Sequence, residues 1–307
     1  MNSFFTIPAL GGYEEQFEEI IDEIYDAASI RIVAPATLDG VVSMALIEAS
    51  LIDVGKNFTR RFVGSRHQIP RDEDQFKQKP FNGLSIFLDV ESEHVPADQL
   101  LIDSSIIRLK PIEAEVEFFQ SNKKHQTSID VVLCASILAS ILSPQGLKTR
   151  ALRPFALVGL WSRGAMDNTA DPMYTLIRNH FQQEGTIRVV PLPEIENPEL
   201  EMLPTASPRM LQRLQQRWAS MDFEARSESL SEFALTCVND DSVSTARFEE
   251  LIWKRVLSGS FQLDLASAIY QSKSNWPADL NTSIIHASTF TDYILSQHFF
   301  LNEHRMV

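Results

Sequence analysis

Cysteine, long apolar runs and positive charge are all scarce in this 307-residue sequence, and each shortage excludes a class of protein. Cys134 and Cys237 lie far apart in apolar stretches and form no CxxC pattern, which predicts buried reduced thiols and argues against a zinc site. No apolar run reaches the length of a transmembrane helix, and the first residues lack the basic start and apolar core of an export signal. We therefore expect an intracellular protein without a membrane contact, cytoplasmic, or nuclear if the source is a eukaryote.

Positive charge is outnumbered throughout the chain. There are 27 Lys and Arg residues against 41 Asp and Glu residues, which gives a formal net charge of -14. Proteins that follow a phosphate backbone generally present a basic field, so we expect weak or no direct nucleic-acid binding. The sequence also lacks a Walker-type loop, a GxGxxG motif and a nucleophile elbow, which are common signatures of nucleotide binding and of hydrolases.

The central feature that the sequence does contain is a strand, a tight loop and a helix at residues 30–49. A β-branched apolar run ends at Pro35, the turn Thr37-Leu38-Asp39-Gly40 follows, and small and apolar residues then recur at helical spacing. This arrangement predicts that Asp39 lies at the carboxyl end of a strand, where open α/β sheets bind their ligands.

Two later apolar runs have the same design. Residues 83–92 and 99–105 are predicted strands that end near Asp89 and Asp103, and residues 57–64 predict another strand. A mostly parallel sheet would bring Asp39, Asp89 and Asp103 to one edge. The alternative is that each aspartate only caps the helix that follows its strand.

The chain divides into two parts in this prediction. Residues 1–186 form an α/β domain with a mostly parallel sheet flanked by helices, and the prolines that recur through 187–208 indicate a connection. Residues 209–307 are mostly helical. The helices predicted there are Arg209–Ser220, Glu224–Cys237, Thr245–Leu257, Leu263–Ser272 and Ala287–Phe300.

The segment that contains Asp39 resembles the first motif of the DHH phosphoesterases, the RecJ exonuclease superfamily. In that family the strand ends in Asp-x-Asp-Gly and both aspartates hold catalytic metal, whereas this chain has Thr37 at the first aspartate position. The second family motif is a single metal-binding aspartate at a strand end, which Asp89 matches. The resemblance implies the α/β fold of the family.

The third and fourth family motifs depart further from the family pattern. The Asp-His-His motif that names the family corresponds here to Asp103-Ser104-Ser105, so both histidines are serines. The fourth motif, Gly-x-x-x-Asp on a helix, corresponds to Gly159 through Arg163, which places a guanidinium where the family has a metal carboxylate.

The resemblance implies a metal site that has lost its ligands at Thr37, Ser104 and Arg163. We therefore expect no catalytic residues, no bound metal and no cofactor, with Asp39, Asp89 and Asp103 as residual metal candidates in a cluster rewired into ion pairs and hydrogen bonds. Residues that could replace a missing ligand are Glu91, His94 and Asp167.

A DHH domain that keeps its fold and loses its ligands resembles the RecJ-like, GINS-associated subunit of the archaeal and eukaryotic replicative helicase (CMG) complex. The resemblance implies an inactive scaffold in DNA replication that binds the GINS complex and, through it, supports the MCM helicase. One alternative is a DHH-family single-strand exonuclease or phosphodiesterase that depends on Mn or Mg in a remodelled site. Another is a module that binds single-stranded DNA without cutting it, through a basic set comprising Arg60, Arg61, Lys110, Lys123 and Lys124.

Overall fold

The computed structural model describes residues 2–70, 73–93, 101–103, 105–118, 123–163, 171–203, 207–237, 244–258 and 263–297. The strands are β1 (Ile30–Pro35), β2 (Phe58–Val63), β3 (Leu84–Leu88), β4 (Leu101–Asp103), β5 (Ile106–Leu109), β6 (Ile112–Phe118), β7 (Lys123–Ile129), β8 (Ile187–Val190) and β9 (Arg255–Ser258). The helices are α1 (Glu14–Asp26), α2 (Leu38–Asp53), α3 (Val131–Leu142), α4 (Leu147–Leu152), α5 (Leu157–Ser162), α6 (Pro172–Gln183), α7 (Pro208–Trp218), α8 (Phe223–Cys237), α9 (Thr245–Ile252), α10 (Leu265–Ser274) and α11 (Leu280–Gln297). Within this described part of the chain, none of the helices combines the length and the apolar character needed to span a membrane.

The main sheet has the strand order β2-β1-β3-β5-β4. The first four of these strands run parallel, and β4 pairs antiparallel with β5 at one edge. Helices pack against the sheet, and the region after it is largely helical. The predicted fold class, an α/β arrangement with a mostly parallel sheet, is confirmed.

Helices α2 and α3 form the buried layer next to the sheet. Both are apolar on almost every side, and nearly all their residues are buried, including Glu48 of α2. Alanine and serine recur along both helices, and these small side chains allow the two helices to pack closely. A helix that is hydrophobic all round is typical of the core of a larger domain.

The C-terminal helices pack onto this α/β layer. Phe290 and Ile294 of α11 belong to the same hydrophobic core as α2. On β2, Arg60 donates a hydrogen bond to Glu48 Oε1 of α2 at 2.7 Å and another to Asp292 Oδ1 of α11 at 2.8 Å. The core is therefore continuous across the predicted connection 187–208, and the division into two domains stays a prediction.

Several strands were not predicted from the sequence. The helix predicted over Thr245–Leu257 ends at Ile252, and that prediction is wrong beyond this point because Arg255–Ser258 forms β9. Strand β9 pairs antiparallel with β8, which lies inside the proline-rich connection. Four-residue strands such as β5, β8 and β9 are too short to show a clear period in the sequence.

Candidate functional site

The carboxyl edge of the parallel strands carries two of the three predicted aspartates. Asp39 lies in the first turn of α2, directly after β1, and Asp89 follows β3, where its N–H donates to the carbonyl of Leu109 at 2.9 Å. Asp103 is at the opposite edge, because β4 runs antiparallel and pairs Asp103 with Ile106 at the start of β5. The expectation that all three aspartates share one edge is therefore wrong.

The strand end at which we expected the third motif therefore carries a different residue. The fourth parallel strand is β5, and it is followed at the carboxyl edge by Lys110. Ser105 lies at the amino edge, where its carbonyl accepts a hydrogen bond from Ser85, and Ser104 is outside the described residues. The carboxyl edge thus has Lys110, a cation, at the strand end where we expected the acidic residue Asp103.

Thr37 caps helix α2. Its backbone is extended, with φ -120° and ψ 164°, and its side-chain oxygen accepts a hydrogen bond from Gly40 N–H at 3.2 Å. A Cβ on Gly40 would lie 2.2 Å from the carbonyl oxygen of Pro35, so the turn from β1 into α2 requires glycine at this position. The hydroxyl of Thr37 therefore satisfies a backbone N–H at the start of α2.

Asp39 has an unusual environment. Its Oδ1 atom is buried and has no hydrogen-bond partner in the described part of the structure. Burial raises the pKa of this carboxyl to about 6, with the positive charges of Lys273 and Arg163 opposing the rise and the negative charges of Asp130 and Glu91 adding to it. Half of the Asp39 carboxyls are thus protonated at a mildly acidic pH.

Arg163 lies between two carboxylates, the buried one of Asp171 and the partly buried one of Asp130. Its Nη2 atom is 3.3 Å from Asp130 Oδ2, and its Nη1 atom is 3.4 Å from Asp171 Oδ2. Nη2 also donates to the carbonyl of Ser128 at 2.7 Å. Arg163 therefore forms an ion-pair cluster, but its direct partners are Asp130 and Asp171 and not the predicted Asp39, Asp89 or Asp103.

Both of these aspartates are helix N-caps. Asp130 Oδ1 accepts a hydrogen bond from Leu133 N–H at 2.7 Å at the start of α3, and Asp171 Oδ1 accepts from Met173 N–H at 2.9 Å at the start of α6. The sequence signals were an aspartate before an apolar helix and an aspartate before Pro172 at the first helical position. Gly159 permits the close approach of α5, because a Cβ there would lie 2.6 Å from Asp130 Oδ2.

Asp89 is surrounded mainly by cations. Its side chain is buried, and its Oδ2 atom is 4.0 Å from Arg108 Nη1. Burial raises the pKa of the Asp89 carboxyl, while the charges of Arg108, Lys110 and Arg66 lower it. Asp89 therefore has cationic neighbours to compensate its charge.

The helical C-terminal region covers the same edge. Trp276, between α10 and α11, donates from Nε1 to the carbonyl of Ala36 at 2.8 Å, in the loop that leads from β1 to α2. Lys273 at the end of α10 is close enough for its charge to lower the pKa of Asp39. The C-terminal helices thus close over the candidate site.

The replacement ligands considered from the sequence are placed differently. Glu91 Oε2 accepts hydrogen bonds from Arg66 N–H at 3.0 Å and from Gln75 Nε2 at 2.7 Å. His94 and Asp167 are outside the described residues. Across the described ranges, no group of three or more His, Cys, Asp or Glu side chains is arranged so that it could hold a metal ion.

Two of the basic residues considered for nucleic-acid binding are engaged in ion pairs. Arg60 binds Glu48 and Asp292, and Lys124 Nζ is 2.6 Å from Glu115 Oε1 on the β6–β7 hairpin. Lys110 lies at the carboxyl edge near Asp89. Arg60, Lys110 and Lys124 thus lie on or directly beside three different strands, β2, β5 and β7.

Comparison with known proteins gives one informative result. No model of a known protein family matches the sequence, and no curated protein matches it. The fold is similar to the crystal structure of CDC45 from Entamoeba histolytica, with a TM-score of 0.53, 10% sequence identity, and coverage of 92% of this chain and 68% of that chain. At this identity the similarity establishes the fold, an α/β core with a mostly parallel sheet flanked by helices.

Proposed function

We propose that this protein is a catalytically inactive, RecJ-like scaffold subunit of the DNA replication machinery, which binds the GINS complex and through it supports the MCM helicase. The observation that carries the proposal is the position of Arg163 between Asp130 and Asp171, where the family places a metal carboxylate. The similarity of the fold to CDC45 supports the RecJ-like part of the proposal.

The chemistry of the carboxyl edge supports an inactive site. A two-metal phosphoesterase holds its ions about 3.5–4 Å apart in a cluster of carboxylates and histidines. Here Asp130 and Asp171 are paired with Arg163, and Glu91 accepts hydrogen bonds from Arg66 and Gln75. Asp39 and Asp89 are the remaining carboxylates of the described edge, and Arg163, Arg108 and Lys110 add positive charge that repels divalent cations. These residues suit an internal charge network and do not fit a pair of catalytic metal ions.

The test is an assembly experiment with a matched site variant. We expect the purified chain to form a complex with recombinant GINS from the same organism on size exclusion, and to recruit MCM only when GINS is present. The double substitution of Asp39→Asn and Asp89→Asn should leave this assembly unchanged, because the carboxylates have no catalytic role in it. Failure of the folded wild-type chain to bind GINS would contradict the proposal.

A nuclease is the second candidate, and one observation favours it. The buried, unpartnered Oδ1 atom of Asp39 is the kind of acceptor that a bound cation would satisfy. A nuclease would degrade labelled single-stranded DNA in the presence of Mn or Mg, and either Asp39→Asn or Asp89→Asn would abolish the activity. The scaffold proposal predicts no cleavage by the wild-type chain.

A further inference from the structure

Strand β2 is an edge strand of the main sheet with an unpaired outer side. The carbonyls of Asn57 and Val63 accept hydrogen bonds from the N–H groups of Ile30 and Ala36, at 3.2 and 2.8 Å. Because backbone groups alternate sides along a strand, the N–H and C=O groups of Phe58, Arg60 and Phe62 point away from β1. In the part of the chain that the structure describes, no other strand pairs with β2 on that side.

Arg31 and Arg61 form a positive pair on one face of this edge. The register places Arg31 opposite Thr59 and Val33 opposite Arg61, so both arginines project from the same face. They are close enough that the charge of Arg61, after the larger effect of burial, lowers the pKa of Arg31. Arg61 is exposed at the very edge of the sheet.

The contacts of Arg31 leave this positive charge uncompensated. Its guanidinium donates to the carbonyl of Lys79 at 2.8 Å and to Ser85 Oγ at 2.9 Å, and it stacks 4.7 Å from the centre of the Phe81 ring. All three partners are neutral groups. Within the described residues neither Arg31 nor Arg61 has a carboxylate partner, in a chain whose formal net charge is -14.

We propose that β2 is the docking site for an extended acidic segment of a partner protein, which adds to the sheet as a further strand and places carboxylates against Arg61, with the charge of Arg31 one strand further in. Unpaired edge groups supply the backbone hydrogen bonds of such an addition, and the charges select the side chains. Alternate side chains of the segment would face the other side of the sheet, beside the half-buried Phe58 and the ion pair of Arg60 with Asp292, where an uncharged residue avoids repulsion by Asp292.

Charge also selects against pairing between two copies of this chain. Two β2 strands that paired antiparallel across a two-fold axis would bring the Arg61 side chains of both copies onto neighbouring positions of one sheet. Like charges in such positions repel, so a segment of opposite charge is favoured as the occupant. This inference depends on the sheet edge and its charges, and it holds whether or not GINS is the partner.

The test uses a short fluorescein-labelled peptide of alternating glutamate and valine, titrated with the full chain and followed by fluorescence anisotropy. We expect saturable binding that weakens as salt is added. The substitution Arg61→Glu should weaken the binding roughly tenfold or more, because it replaces an attraction by a repulsion. The matched control Arg213→Glu makes the same change of charge on the exposed side of α7 and should leave binding unchanged.

Backbone pairing is tested by two methylated forms of the same peptide. One form carries N-methyl groups on every glutamate and the other on every valine, and a paired strand uses only one of these two sets of N–H groups. We expect one form to lose binding and the other to keep it.

Three results would overturn the proposal: no saturable binding of the unmethylated peptide, equal binding of both methylated forms, or no effect of Arg61→Glu. Tighter, Arg61-dependent binding of oligodeoxythymidylate would also overturn it, because the occupant would then be a phosphate backbone. None of these results depends on assembly with GINS, so a failure here is distinguishable from a failure of the proposed function.

Discussion

Removal of the Arg163 guanidinium is the perturbation that most directly tests the ion-pair cluster. The substitution Arg163→Ala leaves Asp130 and Asp171 as neighbouring buried carboxylates and removes a donor from the carbonyl of Ser128. The side chains of these three charged residues are 17%, 14% and 2% exposed, so water compensates the lost pairing only in part. We expect the free energy of unfolding at neutral pH to fall by about 3 kcal/mol, near the lower end for a broken buried ion pair.

The size of this loss should depend on pH. Burial raises the pKa of the Asp130 carboxyl, and without the opposing charge of Arg163 that pKa rises further. The folded variant then holds its protons more tightly than the unfolded chain does, so its stability increases as the pH falls through the raised pKa. The difference in unfolding free energy between the variant and the wild-type chain should therefore shrink from pH 7 to pH 5.

Urea denaturation followed by tryptophan fluorescence measures this effect, with a second substitution as its control. Asp171→Asn keeps a side-chain oxygen that can cap α6 and removes the charge that faces Arg163. We expect the double variant with Arg163→Ala and Asp171→Asn to show a coupling energy of about 1–3 kcal/mol between positions 163 and 171. A loss below about 1 kcal/mol for Arg163→Ala, or a loss that does not change with pH, would refute the buried cluster.

Three further predictions concern the turn that carries Asp39. Thr37→Ala should lower the free energy of unfolding by about 1 kcal/mol through loss of the helix cap, whereas Thr37→Ser should leave it nearly unchanged in the same urea assay. Asp39→Asn should raise the free energy of unfolding at pH 7 by at most about 3 kcal/mol, because it removes a carboxyl whose pKa is about 6 when folded. The sign follows from the raised pKa of Asp39, because the wild-type chain loses stability as the pH rises from 3.8, the ordinary pKa, to about 6. If the Asn variant were also more stable than the wild-type chain below pH 3.8, the raised pKa of Asp39 would be contradicted. Gly40→Ala should lower the thermal midpoint by several degrees because the Cβ would meet the carbonyl of Pro35, while Gly12→Ala, with no atom within 4 Å of the added carbon, serves as the matched control.

The two aspartates at the carboxyl edge could be predicted because local sequence carries enough information there. Asp39 and Asp89 each follow an apolar run that forms a buried parallel strand, and parallel strands place their carboxyl ends together. Arg163 could be selected because the resemblance to the fourth DHH motif aligns it, four residues after Gly159, with the aspartate of that motif. In each case the signal lies within a few residues of the functional position.

Other features depend on contacts that the local pattern does not encode. The direction of β4 is set by its pairing with β5, so the position of Asp103 could not be inferred from its own apolar run. Lys273 and Trp276 reach the site from a segment that lies more than two hundred residues further along the chain than Asp39. Asp130 has a local signal, an aspartate directly before an apolar run, but its pairing with Arg163 depends on the close approach of α5, which the local pattern does not encode.

Calorimetric titration of the wild-type chain with manganese chloride tests the central claim most directly. The claim is that Arg163, Arg108 and Lys110 have turned the carboxyl edge from a metal site into an internal charge network. We expect no tight binding of manganese to the wild-type chain, and the same absence of binding heat for the double variant with Asp39→Asn and Asp89→Asn. Tight binding of two manganese ions per chain, lost in that double variant, would contradict the account and favour the nuclease.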